Sequence, residues 1–198
     1  MQSKNLKNII VVDDDRSIRV VISTALTRAG YNVKSSGTAA GMRRLVESDF
    51  ADIIITDVGL PDGDALDVLP KLQHMKPKLK IIVMSARTTL LTAVRAKKKG
   101  AFEYLPKPFD LDELLNLVSN TFSEQNNIEI KDKITLPKNI YDSGPVVGKS
   151  MAMQEIYKLI SRLVNTNLNL LILGESGTGK KLIAKSIHDL SSINHKLF

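Results

Sequence analysis

The 198-residue sequence contains no cysteine. That excludes disulfides and thiolate metal sites, and it fits a reducing compartment such as the cytoplasm. Long apolar runs are missing as well. No stretch approaches the roughly twenty residues needed to cross a bilayer, so no membrane role is expected. The opening MQSKNLKNIIVVDDD offers only the short run Ile9–Val12 before three acids, which is not the pattern of a secretory leader. Aromatic residues make up 5% of the chain and do not interleave with the basic ones. The net charge of +7 is diffuse: 18 basic and 14 acidic side chains fall in residues 1–122, and 10 and 7 in the remainder. A balance spread this way argues for a solvated surface over a nucleic-acid face. Lys97-Lys98-Lys99 is the densest basic run. It reads first as an exposed helix end, and a docking role is the weaker alternative. His74, His188 and His195 are isolated, and none sits in a phosphodonor context.

What is present is a rhythm. From residue 8 to 122, short apolar runs alternate with amphipathic stretches. Ile9–Val12, Ile53–Ile55 and Ile81–Met84 read as buried strands, with Tyr31–Ser35 and Ala101–Leu105 as weaker ones. Ile18, Val21, Ile22, Ala25, Leu26 and Ala29 share one helical face. Leu66, Leu69 and Leu72 form another such face, as do Leu111, Leu114, Leu115, Val118 and Phe122. Gly30 and Gly100 stand where helices stop. Five strand-helix units in succession predict an α/β domain with a parallel sheet, whose functional site lies at the carboxyl ends of the strands. The rhythm fails over 123–144, which reads as a linker. Beyond it, Met151, Gln154, Glu155, Lys158, Leu159 and Arg162 suggest a mixed helix. Leu168–Leu173 suggests a strand, and Lys180–Leu190 a second helix.

The predicted strand ends collect a distinctive set of residues. Asp13, Asp14 and Asp15 follow the first strand, Asp57 the third, Ser85 the fourth and Lys107 the fifth. Each alone would read as a cap or turn residue, and Asp15 is expected to cap the helix that begins at Arg16. Jointly they point to chemistry. Carboxylates brought together repel unless a cation stands among them. An all-oxygen donor set suits Mg²⁺, while a lysine and a hydroxyl alongside suit a phosphoryl group.

VVDDD, TDVGLPDGD, VMSAR and GAFEYLPKPF together resemble the receiver domain of two-component response regulators, over about residues 1–122. The resemblance implies a flavodoxin-like, doubly wound parallel sheet of five strands in the order 2-1-3-4-5. It implies Asp57 as the phosphoacceptor, served by a sensor histidine kinase. Mg²⁺ would be held by Asp13, Asp14, Asp57 and the Gly59 main-chain carbonyl. Lys107 would pair with the phosphoryl oxygens, Ser85 would be the switch hydroxyl and Tyr104 the switch aromatic. The Lys107–Pro108 bond would be cis. Such receivers also form homodimers.

Gly174-Glu175-Ser176-Gly177-Thr178-Gly179-Lys180 matches a phosphate-binding loop, placed between an expected strand and an expected helix. The stretch 145–198 resembles the start of the AAA+ domain of NtrC-like, sigma-54-dependent activators. Lys181 stands where that family usually has an acid and most phosphate loops have a serine or threonine for the metal. The acidic strand, arginine finger, sigma-contacting loop and DNA-binding helices of that family are absent from these residues, so the loop reads as a residual, weak ATP site and no ATPase is expected. DNA and sigma-54 polymerase would be partners only of a longer form. The leading expectation is a phosphoaccepting signalling switch and not an enzyme. The alternative is an ATP-binding protein, or a fragment of a full-length activator.

Overall fold

In the computed structural model the described residues are 7–86, 89–123, 150–164, 166 and 168–191. Of the expected linker, residues 124–144 lie outside them. The chain divides into two units, one built from residues 1–86 and 99–128, the other from 87–98 and 129–198.

The first unit is a parallel sheet. Its strands are β1 (Asn8–Val12), β2 (Asn32–Ser36), β3 (Ile53–Asp57), β6 (Lys80–Ser85) and β7 (Glu103–Pro106). They lie in the order β2-β1-β3-β6-β7, every neighbouring pair parallel. Counting only these five, the order is the expected 2-1-3-4-5. A small antiparallel ladder, β4 (Gly59–Leu60) with β5 (Gly63–Asp64), follows β3 and was not expected from the sequence. Two residues per strand leave no periodicity to detect.

The central strands are apolar on both faces, as a covered parallel sheet requires. Ile9, Val11, Ile53, Ile55, Ile82 and Met84 pack with Ile22 and Leu26 of α1 (Arg16–Arg28) and with Leu114 and Val118 of α5 (Leu111–Ser123). The alternate residues Ile10, Val12, Ile54, Ile81 and Val83 are equally buried. So are Met42 and Val46 of α2 (Ala39–Glu47) and Leu66, Leu69 and Leu72 of α3 (Ala65–Met75). Each such side chain contributes roughly 1.5–3 kcal/mol when fully buried. The expected stripe on α1 is narrower than its sequence suggests, since Val21 is half exposed.

The second unit joins α4 (Leu90–Lys98), α6 (Met151–Leu163) and α7 (Lys180–Leu190). Leu90 and Val94 of α4 form one apolar cluster with Tyr157, Ile160 and Val164 at α6 and Leu190 of α7. This grouping was not visible in the sequence, because α4 lies between β6 and β7 in the chain. The expected strand at Leu168–Leu173 is not formed. A strand exists only by pairing, and no described residue pairs with this run. Its leucines stand in solvent, Leu171 at 84% and Leu173 at 81% exposure. The expectation of a solvated Lys97–Lys99 patch also fails in part. Lys98 donates to the Leu190 carbonyl at 2.7 Å, and burial lowers its ammonium from the usual lysine range. Lys99, on the first unit, pairs with Asp67 at 3.1 Å.

Candidate functional site

The carboxyl ends of β1, β3, β6 and β7 bring together the residues that the sequence picks out. Lys107 follows β7, and its Nζ lies 2.6 Å from Asp13 Oδ2 and 2.7 Å from Asp57 Oδ1. The Asp13 side chain is 1% exposed, Asp57 14% and Lys107 17%. The remaining oxygens are also used. Asp13 Oδ1 accepts the Asp15 amide at 3.0 Å, and Asp57 Oδ2 accepts the Gly59 amide at 2.9 Å. Burial by itself would lower the Lys107 ammonium. Its hydrogen bonds to Asp13 and Asp57, and their charges, outweigh that and hold it above the usual lysine range. The Lys107–Pro108 bond is cis.

Asp14 is exposed beside this pair. Asp15 caps α1, accepting from Ser17 at 2.7 Å and Ile18 at 3.3 Å. Those backbone bonds keep its carboxyl below the ordinary range. Among the described residues no three acidic or histidine side chains converge into a ready-made metal cage. Mg²⁺ does not require one, because it keeps several waters and accepts one or two carboxylates. Asp13 and Asp57 share a single compensating cation in Lys107, and the adjoining donors are all hard oxygens. The residues therefore fit the ion.

Ser85 ends β6 and is buried, as is Tyr104 of β7. The Tyr104 hydroxyl is hydrogen-bonded to Ser85. Burial pushes the phenol up to about 12, with the Asp57 charge adding to the rise and the Ser85 bond opposing it. The folded value lies above the unfolded one. The stability this phenol contributes is thus complete below about pH 10 and fades as the pH climbs toward 12. In an ultraviolet absorbance titration the late-titrating absorbance should shrink by one phenol in Tyr104→Phe. The same late step in both proteins would place the inward phenol elsewhere.

Two contributors escaped the sequence reading. Asp62 accepts the amides of Ala39 and Ala40, both at 2.8 Å, and so fastens the start of α2 to the loop after β3. Its partners are 22 and 23 residues away, beyond any local spacing rule. Arg19 reaches from α1 to the carbonyls of Asp13 and Asp14. A basic residue soon after an acidic pair was the available signal.

The phosphate-loop residues belong to the second unit. Gly177 and Gly179 both take φ 82°, and Gly179 precedes α7. Glu175 and Thr178 are tied together by a 2.8 Å hydrogen bond from the Thr178 hydroxyl to the Glu175 carbonyl. Lys180 folds back, donating to the carbonyls of Gly174 at 2.9 Å and Glu175 at 2.5 Å. Gly174 and Ser176 are exposed, as is Lys181.

Comparison with known proteins finds two families in the chain, and the receiver match takes in α4, whose apolar residues cluster with α6 and α7. Residues 9–119 match the response regulator receiver domain, and residues 146–198 match the sigma-54 interaction domain. The DNA-binding transcriptional regulator NtrC of Bradyrhizobium sp. (strain RP501 Parasponia) is 48% identical over 184 residues, covering 92% of this chain. That of Rhizobium meliloti (strain 1021) is 45% identical over 181 residues, covering 91%. The chain spans 37% of the length of each of these relatives. Among solved structures, the beryllofluoride-activated NtrC4 receiver domain dimer aligns with a TM-score of 0.56 at 33% identity, covering 59% of this chain and 96% of that one. A CheY-like receiver from Methanospirillum hungatei JF-1 aligns with a TM-score of 0.59 at 30% identity, covering 61% and 97%. The chain belongs to the response regulators of the NtrC group, with a receiver domain followed by a part of a sigma-54 interaction domain.

Proposed function

We propose that the receiver accepts a phosphoryl group on Asp57 from the phosphohistidine of a sensor kinase. The observation that carries this reading is the Lys107 ammonium bridging Asp13 and Asp57 at the carboxyl edge of the sheet. An Asp57 carboxylate oxygen attacks phosphorus and an O–P bond forms. The P–N bond of the donor breaks, and the leaving imidazole takes the electron pair and then a proton. Mg²⁺, held by Asp13, Asp14, Asp57 and the Gly59 carbonyl, would neutralise charge on the transferring group. Lys107 is placed to follow the phosphoryl oxygens once they arrive, since its ammonium already touches the acceptor. Ser85 supplies a hydroxyl to the same group and carries the change to Tyr104 through their hydrogen bond.

The solved NtrC4 receiver is a dimer, and we extend that assembly to this chain. DNA and sigma-54 polymerase enter as partners through the relatives, in a form that carries the corresponding regions. The phosphate loop supports a second, minor reading, a weak ATP site. The left-handed Gly177 and Gly179 hold the loop open for phosphates, but Lys180 is engaged with its own carbonyls.

Intact-mass measurement with Mg²⁺ and acetyl phosphate tests the main reading. The protein should gain one phosphoryl group, and Asp57→Asn should gain none. An adduct that persists in Asp57→Asn, or none in the unsubstituted protein, would overturn it.

A further inference from the structure

The acidic pair lies on a loop, and a loop does not by itself hold two like charges at a fixed spacing. Four observations show what holds this one. Arg19 Nη1 donates to the Asp13 carbonyl at 2.6 Å and to the Asp14 carbonyl at 3.0 Å. The Asp13 amide donates to the Ser36 carbonyl at the end of β2, at 3.2 Å. Gly37 follows directly, and a Cβ there would stand 3.1 Å from Arg19 Nη1 and 3.7 Å from the Asp13 carbonyl. The Asp13 carboxylate is itself fixed by the Asp15 amide and by Lys107. The guanidinium thus lies between the acidic loop and the chain leaving β2, close enough that a Cβ at residue 37 would press on it and shift it by a few tenths of an ångström.

We propose that Arg19 is a positioning residue for the divalent cation: with Gly37 making room, its guanidinium clamps the Asp13 and Asp14 carbonyls and so presents the two carboxylates at the spacing the ion needs. This rests on the Mg²⁺-assisted reading above. Arg19 touches neither carboxylate, so its effect passes through the backbone. Groups one step removed from a metal typically set its affinity by about 10–100-fold through orientation. Both bonds come from one nitrogen, so what the guanidinium adds over an ammonium is the bulk that lies against residue 37.

The test is calorimetric Mg²⁺ binding to the full chain, with melting temperature and acetyl phosphate reactivity measured alongside. Arg19→Ala should weaken Mg²⁺ by about tenfold, and excess Mg²⁺ should recover most of the lost phosphorylation rate. Arg19→Lys should restore part of the affinity. Gly37→Ala, which leaves every charge in place, should weaken Mg²⁺ by crowding the guanidinium. If Arg19→Ala proves unfolded, Gly37→Ala and Arg19→Lys decide the question. Unchanged Mg²⁺ affinity in folded Arg19→Ala or in Gly37→Ala overturns the clamp while leaving phosphoacceptance intact. So does a lowered melting temperature with unchanged affinity, which would mark Arg19 as structural only. An unsubstituted chain that binds no Mg²⁺ would overturn both this inference and the reading beneath it.

Discussion

Lys107→Met is expected to destabilise the metal-free receiver by about 3 kcal/mol. The lysine stands between two carboxylates, one of them almost wholly buried. Removing it leaves the Asp13 charge in a poorly solvated place with only the Asp15 amide in compensation. The two negative charges then face each other with nothing between them. Urea unfolding with and without Mg²⁺ checks this. Mg²⁺ should return much of the loss, since a cation is what the pair lacks. The double variant Asp13→Asn/Lys107→Met should also lie close to the unsubstituted protein, because it deletes the stranded charge along with its partner. The pH dependence has a definite sign. The folded lysine lies above its ordinary 10.5. Its contribution is therefore complete below about pH 10.5 and is lost as the pH rises through the raised folded value. The gap between Lys107→Met and the unsubstituted protein should persist through neutrality and close only in strong alkali. Equal urea midpoints at neutral pH would show that the ammonium gives no net compensation.

Gly100→Ala should cost a comparable amount, about 2–4 kcal/mol, for two separable reasons. Gly100 sits at φ 95°, where a side chain is strained whatever the space. The added Cβ would also lie 2.0 Å from Gln73 Oε1 and 2.6 Å from Gln73 Cδ. These atoms are the far end of a flexible side chain, so Gln73 can move aside, but only by giving up the hydrogen bond its Nε2 donates to the Gly100 carbonyl. Thermal unfolding of Gly100→Ala, Gln73→Ala and the double variant separates the two terms. In the Gln73→Ala background the overlap is gone, so the glycine substitution should cost only the backbone term, about 1–2 kcal/mol. An equal cost in both backgrounds would assign the whole effect to the dihedral angle.

How much of this was legible beforehand depends on the range of the interaction. The three central strands were readable because a sheet covered on both faces needs continuous apolar runs, and Ile9–Val12, Ile53–Ile55 and Ile81–Met84 supply them, while the two edge strands gave only weaker signals. Asp13, Asp57, Ser85 and Lys107 were readable because the topology sends every strand end to one edge. Asp15 was readable because capping is local. Asp62 was not assigned, since its partners are backbone groups 22 and 23 residues away and leave no pattern in residue type, whereas Arg19 was missed although its place soon after the acidic pair was a signal. The partnership of α4 with α6 is also long-range. Its apolar residues Leu90 and Val94 are individually ordinary, and only Tyr157 and Ile160 give them meaning. Leu168–Leu173 shows the converse failure. Its composition specifies a strand, but composition cannot supply the neighbour that a strand requires.

Two exposed segments, the strand β2 and the run Leu168–Leu173, contrast in their defences. Strand β2 lies at an edge of the sheet, and an open edge invites strand addition from another molecule. It is guarded: only five residues long, it alternates polar side chains with Val33, and the Lys34 ammonium lies over the Phe50 ring at 4.0 Å. The run Leu168–Leu173 has no comparable gatekeeper. It holds no charge and no proline, and Leu168, Leu170, Leu171 and Leu173 are all exposed. Short segments of this composition are the ones that nucleate intermolecular β-structure. Of the two segments, the six-residue run is therefore the one expected to template intermolecular pairing at high concentration.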